Sequence, residues 1–271
     1  MTSQSQTFNQ IGYNSFGKRL FGLTTFLTFG FLYLPIFVLI IFSFNESRVL
    51  AFPLTDLSFK WYRVLFMDSD ILRSIKNSFL VATGVIPLTL VIGTSLAFGI
   101  NRFVFPGKRI IEQICLIPLI IPGLITGLSI LLIINRTSLG LSLFSVVIGH
   151  SIFLTPIVLT QVLARLRSFD RSIEEASMDL GANRWQTFFR VTLPNIKTAI
   201  LGSSLLVFTL SFDEVPISFF LTGSDNTLPM HIWSMLREGV TPEVNAIATI
   251  TIGISVLLIV ASLRLLSRRD S

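Results

Sequence analysis

Asp213 and Glu214 stand side by side in the run Ser211–Phe–Asp–Glu–Val–Pro216, inside a stretch that is otherwise apolar. Adjacent carboxylates can hold a cation or pass a proton, and in apolar surroundings both need a reason to be there. Other chemistry-bearing residues are sparse. His150 and His231 are the two histidines, far apart in sequence, and Cys115 is the single cysteine. A histidine-based metal cluster has little support, and an intramolecular disulfide is impossible. No nucleophile–base pair is recognisable. The nearest approach to a phosphate-cradling loop is Gly12–Tyr–Asn–Ser–Phe–Gly17–Lys18–Arg19. Arg19 stands where a magnesium-binding Ser or Thr belongs, and no strand precedes the run. The chain is therefore expected to bind no metal or cofactor of its own and not to hydrolyse ATP.

Lipid is the solvent that the remaining residues imply. Charged residues make up 13% of the 271, hydrophobic ones 51%, and the mean hydropathy is +0.75. A soluble domain carries about a quarter charged residues. Six stretches are long and apolar enough to cross a bilayer: 20–44, 77–100, 110–134, 141–164, 200–221 and 246–266. The first is about twice the length of a signal-peptide apolar region and lacks an A-x-A site, so it reads as an uncleaved anchor. With the N-terminus inside, 14 Lys and Arg fall on the inner segments and 7 on the outer ones. Both termini are thus expected in the cytoplasm. The net charge of +6 belongs to those loops and not to a nucleic-acid surface. The expected layout is a cytoplasmic tail at 1–19, an all-α domain of six transmembrane helices over 20–266, and a short tail at 267–271.

Prolines interrupt the spans at Pro35, Pro87, Pro118, Pro122, Pro156 and Pro216, and Gly123 and Gly127 stand one turn apart in the third. Each proline removes a backbone donor, and paired small residues let helices approach closely. If the fifth span starts near residue 200, Asp213 and Glu214 lie in its outer half. A carboxylate at the bilayer centre costs about 2.5–3.5 kcal/mol, so the pair is either a negative segment of a path or bonded to neighbouring helices. His150 reads as a packing or hydrogen-bonding residue. Trp61 and Trp233 are interfacial anchors or aromatic faces for an ammonium group.

One polar stretch breaks the apolar pattern on the inner side, over residues 165–197. Ser172 could cap a helix with Glu175 in capping-box position, and Gly181 supplies a left-handed stop. Asn183 and Gln186 repeat the box. Trp185, Phe188 and Phe189 then share one helix face. The second helix should end near Leu193, because Pro194 disfavours helix in the residue before it.

The spacing E-A-S-x3-G-x9-V-x-L-P, from Glu175 to Pro194, resembles the EAA loop of the inner-membrane permease subunits of bacterial ABC importers. Ser177 replaces the second Ala of that pattern and Val191 the Ile. Phe42–Ser–Phe–Asn–Glu–Ser47, Lys60–Trp–Tyr62, Ser211–Phe–Asp–Glu214 and Thr241–Pro–Glu–Val–Asn–Ala246 look like the spermidine/putrescine permeases of the PotC type. The resemblance implies a type I permease fold with a cytoplasmic coupling helix. Glu175, Ala176, Ser177 and Gly181 would contact the ATPase, and Leu193 and Pro194 would mark the return to the membrane. It also implies a second permease, an ATP-binding subunit dimer carrying the ATP and magnesium, and a periplasmic or lipid-anchored solute-binding protein. Ser211, Asp213, Glu214 and Trp61 would then line a polyamine path in the bacterial inner membrane. Another small solute, such as an amine, opine or amino acid, is the alternative. A self-sufficient channel or membrane enzyme is the distant one.

Overall fold

A computed structural model describes residues 15–267 apart from 49, 50, 52, 55 and 240. Residues 1–14, which hold the first three residues of the near-match to a phosphate loop, and 268–271 lie outside the described residues. The described chain is helical: α1 (Ser15–Phe42), α2 (Lys60–Met67), α3 (Ser69–Arg102), α4 (Lys108–Ile120), α5 (Gly123–Ile134), α6 (Leu143–Ser168), α7 (Ser172–Asp179), α8 (Arg184–Thr187), α9 (Leu193–Phe212), α10 (Pro216–Leu221), α11 (Leu228–Glu238) and α12 (Pro242–Ser267). A five-residue π-helical segment, Phe188–Thr192, joins α8 to α9. Among the described residues the only β pairing is an isolated bridge between Asn45 and Leu57.

Among the described residues, four helical runs are long and apolar enough to cross a membrane: Arg19–Phe42, Ser69–Arg102, Leu143–Ser168 and Arg184–Phe212. The expected third span is not one rod. It is α4 and α5, bent by 103° at Ile121–Pro122, where the proline withholds the donor that would continue the helix. The expected fifth span is also displaced. Its helix starts at Arg184, stops at Phe212, and α10 is a separate piece begun by Pro216. Hydropathy runs straight through this break, because Val215–Leu221 is as apolar as the helix before it. Proline at the first turn of a new helix costs nothing, since that N–H has no intrahelical acceptor.

Two compact units partition the chain: residues 1–63 with 241–251, and residues 64–240 with 252–271. In the first, Trp61 is 2% exposed and its indole N–H donates to the Asn45 carbonyl at 2.7 Å. Tyr62 and Ser43 share a hydroxyl hydrogen bond of 2.7 Å, and Phe44 packs on Phe59 and Tyr62.

In the second unit α3, α6 and α9 form the core. Asp68 caps α3 by accepting from the amides of Asp70 and Ile71. The buried stripe of α3 runs through Val81, Val85, Thr89, Gly93, Ala97 and Ile100, the spacing of one helix face. Gly93 lies tight against α6: a Cβ there would fall 2.7 Å from Cβ of Val158. Small residues at helix crossings are how apolar helices gain packing where lipid removes the hydrophobic drive.

Candidate functional site

The polar stretch between α6 and α9 folds as a clamped hairpin. Its first helix, α7, is not capped by Ser172. Asp170 does that work two residues earlier, accepting from the Ser172 amide at 3.0 Å. The backbone and side-chain bonds from Ser172 hold the Asp170 carboxyl below the usual range. Gly181 sits at φ +91°, the left-handed turn its position demanded. Asn183 and Gln186 form the reciprocal capping box at 2.9 Å in each direction.

Glu174 anchors this hairpin, a role its spacing did not reveal. Its buried carboxylate bonds both Arg102, at the end of α3, and the Thr192 hydroxyl in the π segment. Arg171 adds bonds to the carbonyl and side chain of Asn101, and Ser177 shares a 3.2 Å bond with Thr187. Glu174 and Glu175 both stand in the first turn of α7, and nothing in composition distinguishes them. Neighbours on a helix point about 100° apart, so one faces inward and the other outward. Glu175, Ala176 and Gly181 are exposed, and Ser177 is half-buried against Thr187.

The second helix does not stop at Leu193. It passes through the π segment into α9 with Pro194 in the first turn of α9. The Leu193 amide reaches back to the Phe188 carbonyl, and Asn195 Nδ2 donates to the Val191 carbonyl at 2.7 Å. The widened turn and this side-chain donor make room for a proline that an ordinary α-turn would reject. Leu193 and Pro194 therefore lie inside one helix. The aromatic face also divides. Phe188 turns inward onto Phe98 at 5.3 Å, whereas Trp185 and Phe189 stack at 6.2 Å and stay exposed. With Ile173, Met178 and Leu180 (89% exposed), they leave an apolar surface on a charged hairpin.

The far end of α9 carries the carboxylates. Asp213 caps the helix, with its amide on the Thr209 carbonyl at 3.3 Å. Its side chain is exposed and makes no hydrogen bond or ion pair among the described residues. Glu214 is committed instead: its Oε1 accepts the Ile217 amide at 3.2 Å and caps α10. Ser211 is buried and bonds His150 Nδ1 at 2.9 Å. Three glycines seat α10. A Cβ on Gly123 would fall 3.2 Å from Pro216, one on Gly127 3.1 Å from the Ile217 Cα, and one on Gly149 2.5 Å from Leu221. Trp61 belongs to the other compact unit. It is buried there, with the Lys60 ammonium 5.1 Å from its ring centre and the Arg48 guanidinium 6.0 Å away.

Residues 89–269 match the family model described as "Binding-protein-dependent transport system inner membrane component". The chain belongs to this family of transport permeases. The permease is 37% identical to the putrescine transport system permease protein PotI of Escherichia coli K12, over 84% of this chain and 83% of that one. It is 33% identical to the spermidine/putrescine transport system permease protein PotC of the same strain, over 91% and 93% of the two chains. Its fold is that of ABC importer permeases. A bacterial alginate ABC transporter, crystallised with an alginate-bound periplasmic protein, aligns with TM-score 0.71 at 17% identity and covers 96% of this permease and 98% of that chain.

Proposed function

We propose that this permease carries polyamines through the bacterial inner membrane, driven by ATP that a partner subunit hydrolyses. The observation that carries the reading is Asp213: an uncommitted carboxylate at a helix break, at the end of a membrane-length helix. A carboxylate that is exposed on a membrane-spanning bundle and has no partner is costly against lipid, and a polycation passing it supplies that partner. The relatives named for putrescine and spermidine, at 37% and 33% identity, support the same substrate class. Ser211 and Glu214 shape the segment, Ser211 by its bond to His150 and Glu214 by capping α10. Trp61 is left out of the path, because its buried ring already has cationic neighbours from the chain itself.

The energy enters at the hairpin. Exposed Ile173, Met178, Leu180, Trp185 and Phe189 form the apolar contact for an ATP-binding subunit dimer, with Glu175, Ala176 and Gly181 on the same exposed stretch. ATP and magnesium belong to that dimer. A second permease and a solute-binding protein on the outer side complete the importer, with both termini of this chain in the cytoplasm. Closure of the ATPase pair moves the hairpin, and the helix that starts there moves the carboxylate end. Uptake of putrescine and spermidine by the assembled importer tests the substrate. Asp213→Asn should raise KM for both by about tenfold, equivalent to about 1.4 kcal/mol. Unchanged polyamine KM in that variant, or preferred uptake of a neutral amino acid, would overturn the reading.

A further inference from the structure

His150 is fully buried on α6 and lies against the break between α9 and α10. Its two ring nitrogens bond residues on opposite sides of that break: Nδ1 to Ser211 Oγ at 2.9 Å and Nε2 to Ser218 Oγ at 3.0 Å. The direction of these bonds is fixed. Ser218 donates its single hydroxyl proton to the Glu214 carbonyl at 2.9 Å, so it must accept from His150. In the neutral imidazole, Nε2 therefore carries the hydrogen and Nδ1 accepts from the Ser211 hydroxyl. The chain of bonds runs Ser211 to His150 to Ser218 to the backbone of Glu214, each proton used once. The last residue of this chain neighbours Asp213, and the first lies two residues before it.

We infer that His150 is a positioning residue for the translocation path: it staples the two sides of the break so that Glu214 keeps capping α10 and Asp213 stays open. The inference rests on Asp213 being the path carboxylate. The neutral imidazole supplies one donor and one acceptor from a single rigid ring, pointing to opposite sides of the break. The glycines at 123, 127 and 149 hold α10 in place sterically, and His150 sets its polar register.

A double-mutant cycle in the assembled importer tests this, with polyamine uptake as the readout. His150→Leu should raise KM by about fivefold to tenfold, the scale of a displaced hydrogen-bonding group. In an Asp213→Asn background the same substitution should add less than about twofold, because the group it positions is already lost. Ser211→Ala and Ser218→Ala, each removing one bond, should give intermediate increases, and they carry the test if His150→Leu fails to assemble. Equal effects of His150→Leu, or of both serine variants, with and without Asp213 would overturn the inference. Asp213→Asn alone leaving KM unchanged would instead sink the path assignment.

Discussion

Trp185 and Asp213 are carried by one helical run, Arg184–Phe212, with Trp185 in its first turn and Asp213 capping its last. At 1.5 Å per residue, its 29 residues span roughly 40 Å. The exposed aromatic of the hairpin and the open carboxylate of the break are thus two ends of a single rod. A displacement at one end cannot be absorbed by a loop before it reaches the other. The π segment is the one irregular turn, and Glu174 braces it through Thr192.

Trp185→Ala should separate docking from folding. The side chain is 73% exposed, so its loss should change stability by no more than about 0.5 kcal/mol. Retention of the ATP-binding subunit on an affinity-tagged permease should fall at least about tenfold, because aromatic anchors dominate protein interfaces. Pull-down and thermal melting in detergent check the two halves.

Glu174→Ala should loosen the hairpin. It removes a charged hydrogen-bonding group that serves Arg102 and Thr192 together, a loss of about 1.5–3 kcal/mol for such bonds. Amides of α7 and of the π segment should exchange faster with deuterium, while those of α6 should not change. Glu175→Ala, on the exposed side, should leave exchange unaltered.

The start of α7 should respond to acid through Asp170. Its carboxyl titrates below the usual value, so its contribution is complete above the ordinary Asp range near 3.9. It is lost only as pH falls through the lower folded value. Asp170→Asn should therefore speed exchange at the first α7 amides at pH 7, and the difference from the unaltered chain should vanish in strong acid.

Gly127→Ala should destabilise the seat of α10 by about 1–3 kcal/mol, because the new Cβ meets the Ile217 Cα and the Pro216 carbonyl, backbone that cannot step aside. Gly202→Ala, where a Cβ meets nothing within 4 Å, is the control. Melting temperatures in one detergent distinguish them.

How much of this was legible in the sequence depends on whether a residue's partner was local. Gly181 and the Asn183–Gln186 box act within four residues, and the structure has them as read. The Gly123–Gly127 pair correctly announced a close helix, though not that its occupant is the short α10. Hydropathy carries no information on direction, so it runs the fifth span on into α10, which is apolar in continuity with α9. Pro194 predicts a helix stop at Leu193, but a π turn with Asn195 as donor absorbs it. Glu174, His150 and the cap by Glu214 depend on α3, α6 and a helix start that pattern reading did not place. Such long-range polar bonds leave no periodic trace.

Reconstitution into proteoliposomes tests the central claim most directly: that this chain is a passive path moved by a docked ATPase. Permease pair, ATP-binding subunits and solute-binding protein together should accumulate spermidine against its gradient with ATP, and stop when the ATP-binding subunit is omitted. Accumulation against the gradient by the permease chain alone, with no nucleotide-consuming partner present, would contradict it.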